Sequence, residues 1–324
     1  MSKKTLAKID NIVSRIHTHP EYSSCISRHF LSHIREEAYS HSSSIELESD
    51  EFIGRKDLDD LKRSYVHNLE NGRQFLSREG ISLYSLEALG RIVEPSAKSR
   101  GFRREEIKFG DFYGSQYERI PHEVDNLVWK LNNDISLHPI NRAGLAHLEI
   151  VRIHPYSDGN GRVARLLQNF CLEQRGYPPA IINASERDVY LGILNSLWRE
   201  ILNNKETNTH YERARNLFYD FIEAKVLESA EMLEEELKSK RLYTINFYNV
   251  KNLETIRSIA KALKGLESKK RKPVLANHIK KTGKTASLYV QGDLSNRELD
   301  EFLSFFTKKY KLGYSIESIT DCWD

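Results

Sequence analysis

The chain is poor in cysteine and lacks long apolar runs. Its 324 residues include three cysteines, Cys25, Cys171 and Cys322. Their scatter excludes a zinc ribbon or a CxxC redox pair, and their odd number argues against a disulfide framework. No stretch supplies the roughly 20 apolar residues of a membrane span, and the first residues, MSKKTLAKID, lack the apolar segment of a signal peptide. We therefore expect a cytoplasmic protein that does not enter a membrane.

A strong excess of charge of one sign is also missing. Lysine and arginine number 49 and aspartate and glutamate 46, a formal net charge of +3 at pH 7. Such a balance neither requires nor excludes a nucleic-acid partner. No internal repeat or low-complexity tract is present, and the length exceeds that of one typical domain. We expect two domains.

Helical periodicity dominates the first 230 residues or so. Apolar side chains fall on one stripe in DDLKRSYVHNLENGRQFL and again in INRAGLAHLEIVRI. One interval differs, because in FRREEIKFGDFYGSQYERIP the apolar Ile107 and Phe109 flank Lys108. The chain then turns at Gly110, so this interval predicts a short β-hairpin inside a helical domain.

The apolar period changes near residue 241. The charge-rich segment before it predicts one long helix, and the residues after it predict the order strand, helix, strand, strand, helix, strand. That order is typical of a two-layer domain of the split βαβ kind. The fold class is therefore mainly α, with a small α+β domain at the carboxy terminus.

One short stretch, HPYSDGNGR at residues 154–162, gathers several chemical groups. Gly159, Asn160 and Gly161 adopt positive φ at low cost, which lets successive backbone amides converge on an anion. The following RVARLLQNFCLEQRGYPP has a helical apolar face, so the glycine turn opens a helix whose dipole attracts phosphate. Arg162 and Arg165 lie three apart in its first turn and can bind phosphate oxygens.

Two further groups flank this turn. Asp158 would repel a bare phosphate but would help hold a Mg²⁺ that bridges two phosphates. His154 follows an apolar helix, where an imidazole can act as a base towards a hydroxyl. Taken singly, each group has an ordinary interpretation as a surface histidine, a simple turn or a solvated arginine pair. Their order within twelve residues favours phosphoryl or nucleotidyl transfer.

His154 to Arg165 resembles the signature of the Fic (filamentation induced by cAMP) family, H-x-F-x-[D/E]-G-N-G-R-x-x-R, with Tyr156 in place of phenylalanine. The upstream AHLEIVRI and the alternating interval are also similar to the family, so the resemblance spans roughly residues 35–225. It implies a catalytic domain at 35–225. Outside the resemblance we expect a helical segment at 1–34, a helical linker at 226–241 and a small domain of unknown role at 242–324.

The resemblance implies a protein adenylyltransferase that moves AMP from ATP to a Ser, Thr or Tyr hydroxyl of a target protein. His154 would take the hydroxyl proton, Asp158 would help hold Mg²⁺, and Gly159, Asn160 and Gly161 would cradle the phosphates. Arg162 would stabilise developing charge, and Arg165 would position the γ-phosphate. The resemblance further implies a target-docking hairpin formed by Ile107, Lys108, Phe109 and Gly110, which would add the target segment as a strand.

The segment RDVYLGIL resembles the family pattern R-x-x-Y-x-x-x-L. Tyr190 is therefore a candidate for stacking beside adenine, and a core tyrosine at helical spacing with Leu194 is the equal alternative.

The stretch HSSSIELES resembles an inhibitory helix of the family, whose glutamate pairs with the second arginine of the signature. This implies a regulatory pair, Ser42 and Glu46, within a helix near residues 42–48, with Glu46 bound to Arg165. Leu47 departs from the family pattern, and Ser44 with Glu48 offers the same spacing. The alternative interpretation is a serine-rich helix start with acidic residues in its first turn.

Several alternatives stay open. The same fold could remove AMP, use another nucleotide or transfer phosphocholine. The protein could also modify itself or form a homodimer. A regulator that binds nucleic acid through SKKRKP, KKTGK and KKYK is the weaker candidate of another class. The GKT at residues 283–285 lacks the spacing of a phosphate-binding P-loop, and His29 with His33 lacks a third metal ligand.

Overall fold

The computed structural model describes residues 3–18, 20–47, 55–98, 100–202, 209–239, 241–264, 274–292 and 295–318. Glu48, the basic stretch SKKRKP at 268–273 and the side chains of His29 and His33 lie outside the described residues. The chain divides into two compact units, Met1–Arg15 with Phe30–Ala230 and Ile16–His29 with Glu231–Asp324.

The elements up to residue 239 are helices apart from one hairpin and two 3₁₀ turns, within the part of the chain that the structure describes. They are α1 (Lys3–Thr18), α2 (Pro20–Leu47), α3 (Arg55–Glu79), α4 (Leu83–Val93), β1 (Lys108–Phe109), β2 (Phe112–Tyr113), α5 (Ile120–Asn133), α6 (Pro139–Ile153), α7 (Asn160–Glu173), α8 (Arg187–Leu202) and α9 (Thr209–Ser239). None of the described helices has the length and apolar character to cross a membrane.

Helices α6 and α7 form the centre of this helical unit. Buried residues surround both helices instead of following one stripe, which is the pattern of a helix packed on all sides. Helix α6 begins at Pro139, whose missing N–H is no loss in a first turn, and the preceding His138 accepts a hydrogen bond from the Ile140 amide at 3.3 Å. The loop at 154–159 that joins α6 to α7 is therefore held at the middle of the fold.

The predicted hairpin is confirmed. Phe109 pairs with Phe112 across a two-residue turn, and Gly110 in that turn has φ 58°, the positive φ that short hairpin turns require. The Gly114 amide donates to the Ile107 carbonyl at 3.2 Å, which extends the pairing by one step. Among the described strands β1 and β2 pair only with each other.

The second unit contains a four-stranded antiparallel sheet with two helices. Its elements are β3 (Arg241–Tyr248), α10 (Leu253–Lys264), β4 (Val274–Thr282), β5 (Thr285–Gly292), α11 (Asn296–Tyr310) and β6 (Gly313–Ser318). The strand order is β4-β5-β3-β6, with every neighbouring pair antiparallel. Strands β3 and β4 therefore run parallel on either side of β5, which confirms the split βαβ arrangement.

Alternation along the strands explains the two-layer packing of this sheet. The side chains of Tyr243, Ile245 and Phe247 are buried with Leu288 and Val290 of the neighbouring strand. Apolar residues of α10 and α11 complete the same core. Because successive strand residues point to opposite faces, both helices lie on one face of the sheet.

Gly90 of α4 provides a test of the packing around the loop at 154–159. A Cβ added there would lie 2.4 Å from Cδ1 of Tyr156, well inside van der Waals contact. We expect Gly90→Ala to destabilise the helical unit by about 1–3 kcal/mol, the usual cost of overpacking, and to lower the midpoint of urea unfolding.

Gly192→Ala is the matched control for this substitution. Gly192 also lies within a helix, α8, but a Cβ there meets nothing within 4 Å. Alanine should then stabilise the helix by up to about 1 kcal/mol. Equal effects of the two substitutions would contradict the packing argument.

Candidate active site

His154 ends helix α6 in an unusual backbone conformation. Its φ is 53° and ψ 56°, the left-handed region that only a few per cent of residues other than glycine adopt. The imidazole Nδ1 lies 3.3 Å from the Val151 carbonyl oxygen. Because a carbonyl only accepts, Nδ1 carries the hydrogen and Nε2 carries the lone pair. The ring of Phe109 stacks on the imidazole with centroids 4.0 Å apart.

The imidazole of His154 is held in its neutral form. Burial lowers its pKa to about 4, the hydrogen bond to Val151 opposes this shift, the charge of Arg103 lowers the pKa further, and Glu46 opposes it. Burial disfavours the imidazolium ion since the charged form loses its water. A base with this pKa is unprotonated at neutral pH.

The loop after His154 is fixed by its own side chains. Asn160 accepts a hydrogen bond from the Tyr156 amide at 3.0 Å and donates to the Tyr156 carbonyl at 2.8 Å. The Tyr156 hydroxyl donates to the Leu86 carbonyl at 2.6 Å, and its ring covers Gly90. The side chain of Asn160 is therefore engaged within the loop, which leaves its backbone amide as the group available to a ligand at the start of α7.

The start of α7 has the form of an anion nest. Gly159 has φ 82° and lies immediately before the first helical residue, Asn160. A Cβ added to Gly161 would lie 2.7 Å from Oε1 of Glu46 and 3.2 Å from Nη1 of Arg165. The missing side chain at Gly161 thus leaves room for an anionic oxygen at the positive end of the helix, and Glu46 places one there.

Asp158 lies at the exposed side of this nest. Its side chain is 63% exposed, and its Oδ1 accepts a hydrogen bond from the Gly159 amide at 2.5 Å. Mg²⁺ in nucleotide sites is usually held by one or two carboxylates together with phosphate oxygens and water. Asp158 fits that role, and the described residues contain no group of three His, Cys, Asp or Glu side chains that could hold a metal alone.

Arg162 is turned away from the cavity and into the protein. It is 1% exposed, donates to Oε2 of Glu94 at 2.6 Å and approaches Oδ1 of Asp158 at 3.4 Å. Its guanidinium carbon lies 3.9 Å from the ring centroid of Tyr65. Sequence reasoning found Arg162 but missed Glu94 and Tyr65, which precede it by many residues and carry no local signal.

Arg165 is held by the end of α2. Its Nε donates to the Ser42 hydroxyl at 2.8 Å, and its Nη2 donates to Oε1 of Glu46 at 2.6 Å. Burial alone would raise the pKa of Glu46, but the charge of Arg165 and its hydrogen bond lower it. Ser42 and Glu46 lie in the last turns of α2, far from its start at Pro20, so the interpretation of a serine-rich helix start is wrong.

A buried polar chain supports Arg165 from the other side. The guanidinium carbon of Arg165 lies 6.0 Å from the ring centroid of Tyr190, and the Tyr190 hydroxyl lies 2.9 Å from Nε2 of His147. Nδ1 of His147 lies 2.8 Å from Oε1 of Gln168, so Nδ1 carries the hydrogen and Tyr190 donates to Nε2. Burial and the charge of Arg165 lower the His147 pKa to about 3. Tyr190 is 2% exposed, with its hydroxyl fixed within the core.

One cavity of about 260 Å³ brings most of these groups together. His154, Asp158, Gly159, Asn160, Gly161, Arg165, Glu46, Tyr190 and Phe109 line it, whereas Arg162, Ile107, Lys108 and Gly110 do not. Its remaining wall is mostly apolar and includes Ile45, Val151, Leu191, Leu194, Asn195 and Trp198. Arg187 also lines the cavity and donates from Nε to the Ile45 carbonyl at 3.0 Å.

The fold and this loop define a helical domain whose two central helices meet at a glycine turn beside a neutral histidine. Residues 81–172 match the Fic/DOC family. The matched segment runs from α4 to α7 and includes both the hairpin and the loop at 154–159.

Two relatives match a short stretch of the chain. A protein adenylyltransferase Fic from Drosophila grimshawi is 54% identical over 59 residues, which are 18% of this chain and 12% of that protein. One from Drosophila erecta is 51% identical over 67 residues, 20% of this chain and 14% of that protein. This chain thus matches only about an eighth of the length of these relatives.

Two solved structures share the fold. One is a Fic domain containing signaling protein from Bacteroides thetaiotaomicron, with a TM-score of 0.54 and 20% identity over 71% of this chain and 96% of that one. The other is Fic-1 from C. elegans, with a TM-score of 0.55 and 22% identity over 73% of this chain and 72% of that one.

Proposed function

We propose that this chain is a protein adenylyltransferase that transfers AMP from ATP to a hydroxyl of a protein target and is held inactive by Glu46. The observation that supports it most is the placement of the neutral His154 and the nest of Gly159 to Gly161 on the wall of one cavity. A base beside a phosphate-binding helix start is what transfer to a hydroxyl requires.

In the proposed reaction the target oxygen attacks the α-phosphorus of ATP. The bond from the α-phosphorus to the bridging oxygen breaks, pyrophosphate leaves, and the hydroxyl proton passes to Nε2 of His154. The amides of Asn160 and Gly161 hold the phosphates, joined by the Gly159 amide once it leaves Asp158. Arg165 binds the outermost phosphate once Glu46 has left it. Arg162, bonded to Glu94, contributes positive charge from beneath the loop.

A metal ion would assist this reaction. When bound, Mg²⁺ would neutralise charge on the phosphates, and Asp158 is the described side chain that would supply an oxygen ligand. The apolar cavity wall with the Asn195 amide suits a flat base with polar edges. The outer edges of β1 and β2 have no partner strand among the described residues, and a target segment would add there beside Phe109.

Isotope position tests the proposed reaction directly. The chain and its Glu46→Gly variant are incubated with Mg²⁺ and either α-labelled or γ-labelled ATP, alone and with a cell lysate. We expect protein to retain the α label only, because AMP is transferred and pyrophosphate leaves. Retention of the γ label would indicate phosphoryl transfer, and retention of neither label in either variant would overturn the proposal.

Similar incubations distinguish other nucleotide donors and the reverse reaction from AMP transfer. Intact-mass measurement after incubation with each nucleoside triphosphate and with a phosphocholine donor identifies the group transferred. Loss of AMP from a previously modified protein would show removal in place of transfer. The phosphate nest and Arg165 favour a nucleoside triphosphate.

The pH dependence of transfer follows from the state of His154. Its pKa is lowered to about 4 from an ordinary value of 6.5, so the neutral base persists as pH falls until about 4. We expect the rate of labelling to stay nearly constant from about pH 8 to 5.5 and to fall only below that range. A rate that halves near pH 6.5 would contradict this assignment of the base.

A further inference from the structure

The side chain of Arg103 lies between the β1–β2 hairpin and the loop at 154–159, and it donates hydrogen bonds to backbone carbonyl groups of both. It is 1% exposed. Its Nε donates to the His154 carbonyl at 2.7 Å and its Nη1 to the Glu105 carbonyl at 2.6 Å. Its Nη2 donates to the Ser115 carbonyl and approaches the Ile153 carbonyl at 3.4 Å. One side chain thus contacts both ends of the hairpin and the end of α6.

The backbone completes this connection. The Arg103 amide donates to the Pro155 carbonyl at 2.9 Å, and the Ser115 amide donates to the Ile153 carbonyl at 3.1 Å. These bonds flank His154, whose left-handed conformation costs about 1–2 kcal/mol for a residue with a side chain. A strained residue of this kind persists when its surroundings determine it strongly, and the clamp of Arg103 supplies part of that support.

The glycine at position 114 fits the same clamp. A Cβ there would lie 2.6 Å from Nη2 of Arg103 and 2.9 Å from Cβ of His154. The strand end therefore approaches both residues more closely than any larger residue would allow. Arg103, Gly114 and His154 are packed as one unit at the point where the hairpin joins the loop.

The charge of Arg103 has no acidic partner at salt-bridge distance in the part of the chain that the structure describes. A buried charge is costly unless its hydrogen bonds are satisfied, and here backbone carbonyl oxygens satisfy them. Burial lowers the pKa of Arg103, and Glu106 opposes that shift. The retained positive charge lies near the imidazole and favours its neutral form.

We propose that Arg103 is a positioning residue for the transfer reaction: it clamps both ends of the β1–β2 hairpin to the His154 backbone, so that a hydroxyl on a docked segment meets Nε2. This inference rests on the proposed function. It adds a residue outside the stretch HPYSDGNGR at 154–162. It also explains how a segment docked on the hairpin is kept at a fixed position relative to the imidazole of His154.

The test uses the Glu46→Gly chain as the parent. If this parent shows no transfer of the α label, the proposed function fails and the clamp is not at issue. In this background we compare Arg103→Met, Arg103→Lys, Gly114→Ala and the control Arg104→Met, whose residue is exposed and next in sequence. We measure the labelling rate at saturating ATP, the KM for ATP, ATP binding by equilibrium dialysis and the pH profile.

We expect Arg103→Met to lower the labelling rate at least about 100-fold, the order of loss that a misplaced reacting group causes. ATP affinity should stay within about threefold, because the nest and Arg165 are untouched. The acid limb of the pH profile should move to higher pH, since the charge that disfavours imidazolium is gone. Arg104→Met should behave as the parent.

Arg103→Lys separates charge from geometry. A lysine ammonium keeps the charge but lacks the planar fork of donors, so the labelling rate should fall at least about 10-fold with the acid limb unmoved. Gly114→Ala should lower the rate with ATP affinity kept. The charged groups around the imidazole that line the cavity, Asp158, Arg165 and Arg187, are the same in every variant.

Three results would overturn the inference. The first is an Arg103→Met variant whose labelling rate and pH profile stay within twofold of the parent. The second is a loss of ATP affinity as large as the loss of rate, which would show general disruption of the domain. The third is a labelling rate of Arg103→Lys that equals that of the parent. This third result decides the matter if Arg103→Met does not fold.

Discussion

Replacing Glu46 by glycine is expected to raise incorporation of α-labelled ATP into protein by roughly 5- to 150-fold, the range that a coupling of about 1–3 kcal/mol between two sites gives. In the proposed function the Glu46 carboxylate and the outermost phosphate of ATP would compete for Arg165. In the structure Oε1 of Glu46 is 2.6 Å from Nη2 of Arg165. A phosphate that needs the same guanidinium must displace it.

In its present position Glu46 would also keep a phosphate out of the nest. Its Oε1 lies 2.7 Å from where a Cβ of Gly161 would be, at the positive end of α7. Two anions cannot share this place without strong repulsion. Glycine at position 46 removes the competing carboxylate. ATP binding should then no longer be reduced by the fraction of molecules in which Glu46 is bound to Arg165.

Two variants control for effects other than the carboxylate. Glu36→Gly places glycine in the same helix at an exposed position, so it reports the cost of weakening α2, about 1 kcal/mol. Glu46→Gln keeps the size of the side chain and removes its charge, and it should give a smaller increase. Equal activation by Glu36→Gly and Glu46→Gly would mean that loosening α2 is the cause.

Labelling by Glu48→Gly would test the other register. Glu48 lies outside the described residues. No increase with Glu46→Gly together with an increase with Glu48→Gly would move the inhibitory role to Glu48. The described contacts favour Glu46, because its carboxylate is bonded to Arg165 and the hydroxyl of Ser42 binds the same guanidinium.

The parts of the site that sequence predicts well are those that are local in the chain. His154, Asp158 and the glycines lie within eight residues, and their spacing fixes a turn followed by a helix wherever the fold places them. The hairpin is similarly local, because the alternation around Lys108 and the positive φ of Gly110 are set by neighbouring residues.

The contacts that sequence does not predict join residues far apart. Arg162 meets Glu94 across 68 positions, and Arg103 meets His154 across 51. In FRREE, Arg103 is one of several charged residues, a pattern that ordinarily indicates a solvated face. In the structure, however, Arg103 is buried while Arg104 is exposed. No periodicity distinguishes Arg103 from Arg104, since the distinction arises only when the hairpin folds onto the end of α6.

Tyr190 shows the same limit in another form. Its helical spacing with Leu194 is equally consistent with a core residue and with a residue beside a base. In the structure its hydroxyl lies 2.9 Å from Nε2 of the buried His147, and its ring lies on the wall of the cavity. One tyrosine therefore serves the core and borders the site, a combination that the sequence pattern does not contain.

Replacing His154 by alanine in the Glu46→Gly chain should lower the labelling rate by about 10²- to 10⁴-fold, the usual contribution of a general base. ATP binding should persist, because the nest, Asp158 and Arg165 provide it. Alanine is itself strained at the φ of 53° that this position adopts, so His154→Asn is the second variant, since asparagine enters the left-handed region readily.

Both His154 variants should lose transfer alike if the lone pair on Nε2 is what matters. His122→Ala is the matched control, because His122 is an exposed histidine of α5 and its loss should leave the rate unchanged. Retained transfer in both variants would remove His154 from the chemistry and leave the loop as a binding site alone. If His154→Asn is active and His154→Ala is not, backbone strain at this position is the cause. Equilibrium dialysis with labelled ATP, run beside the rate measurement, separates a lost base from a lost site.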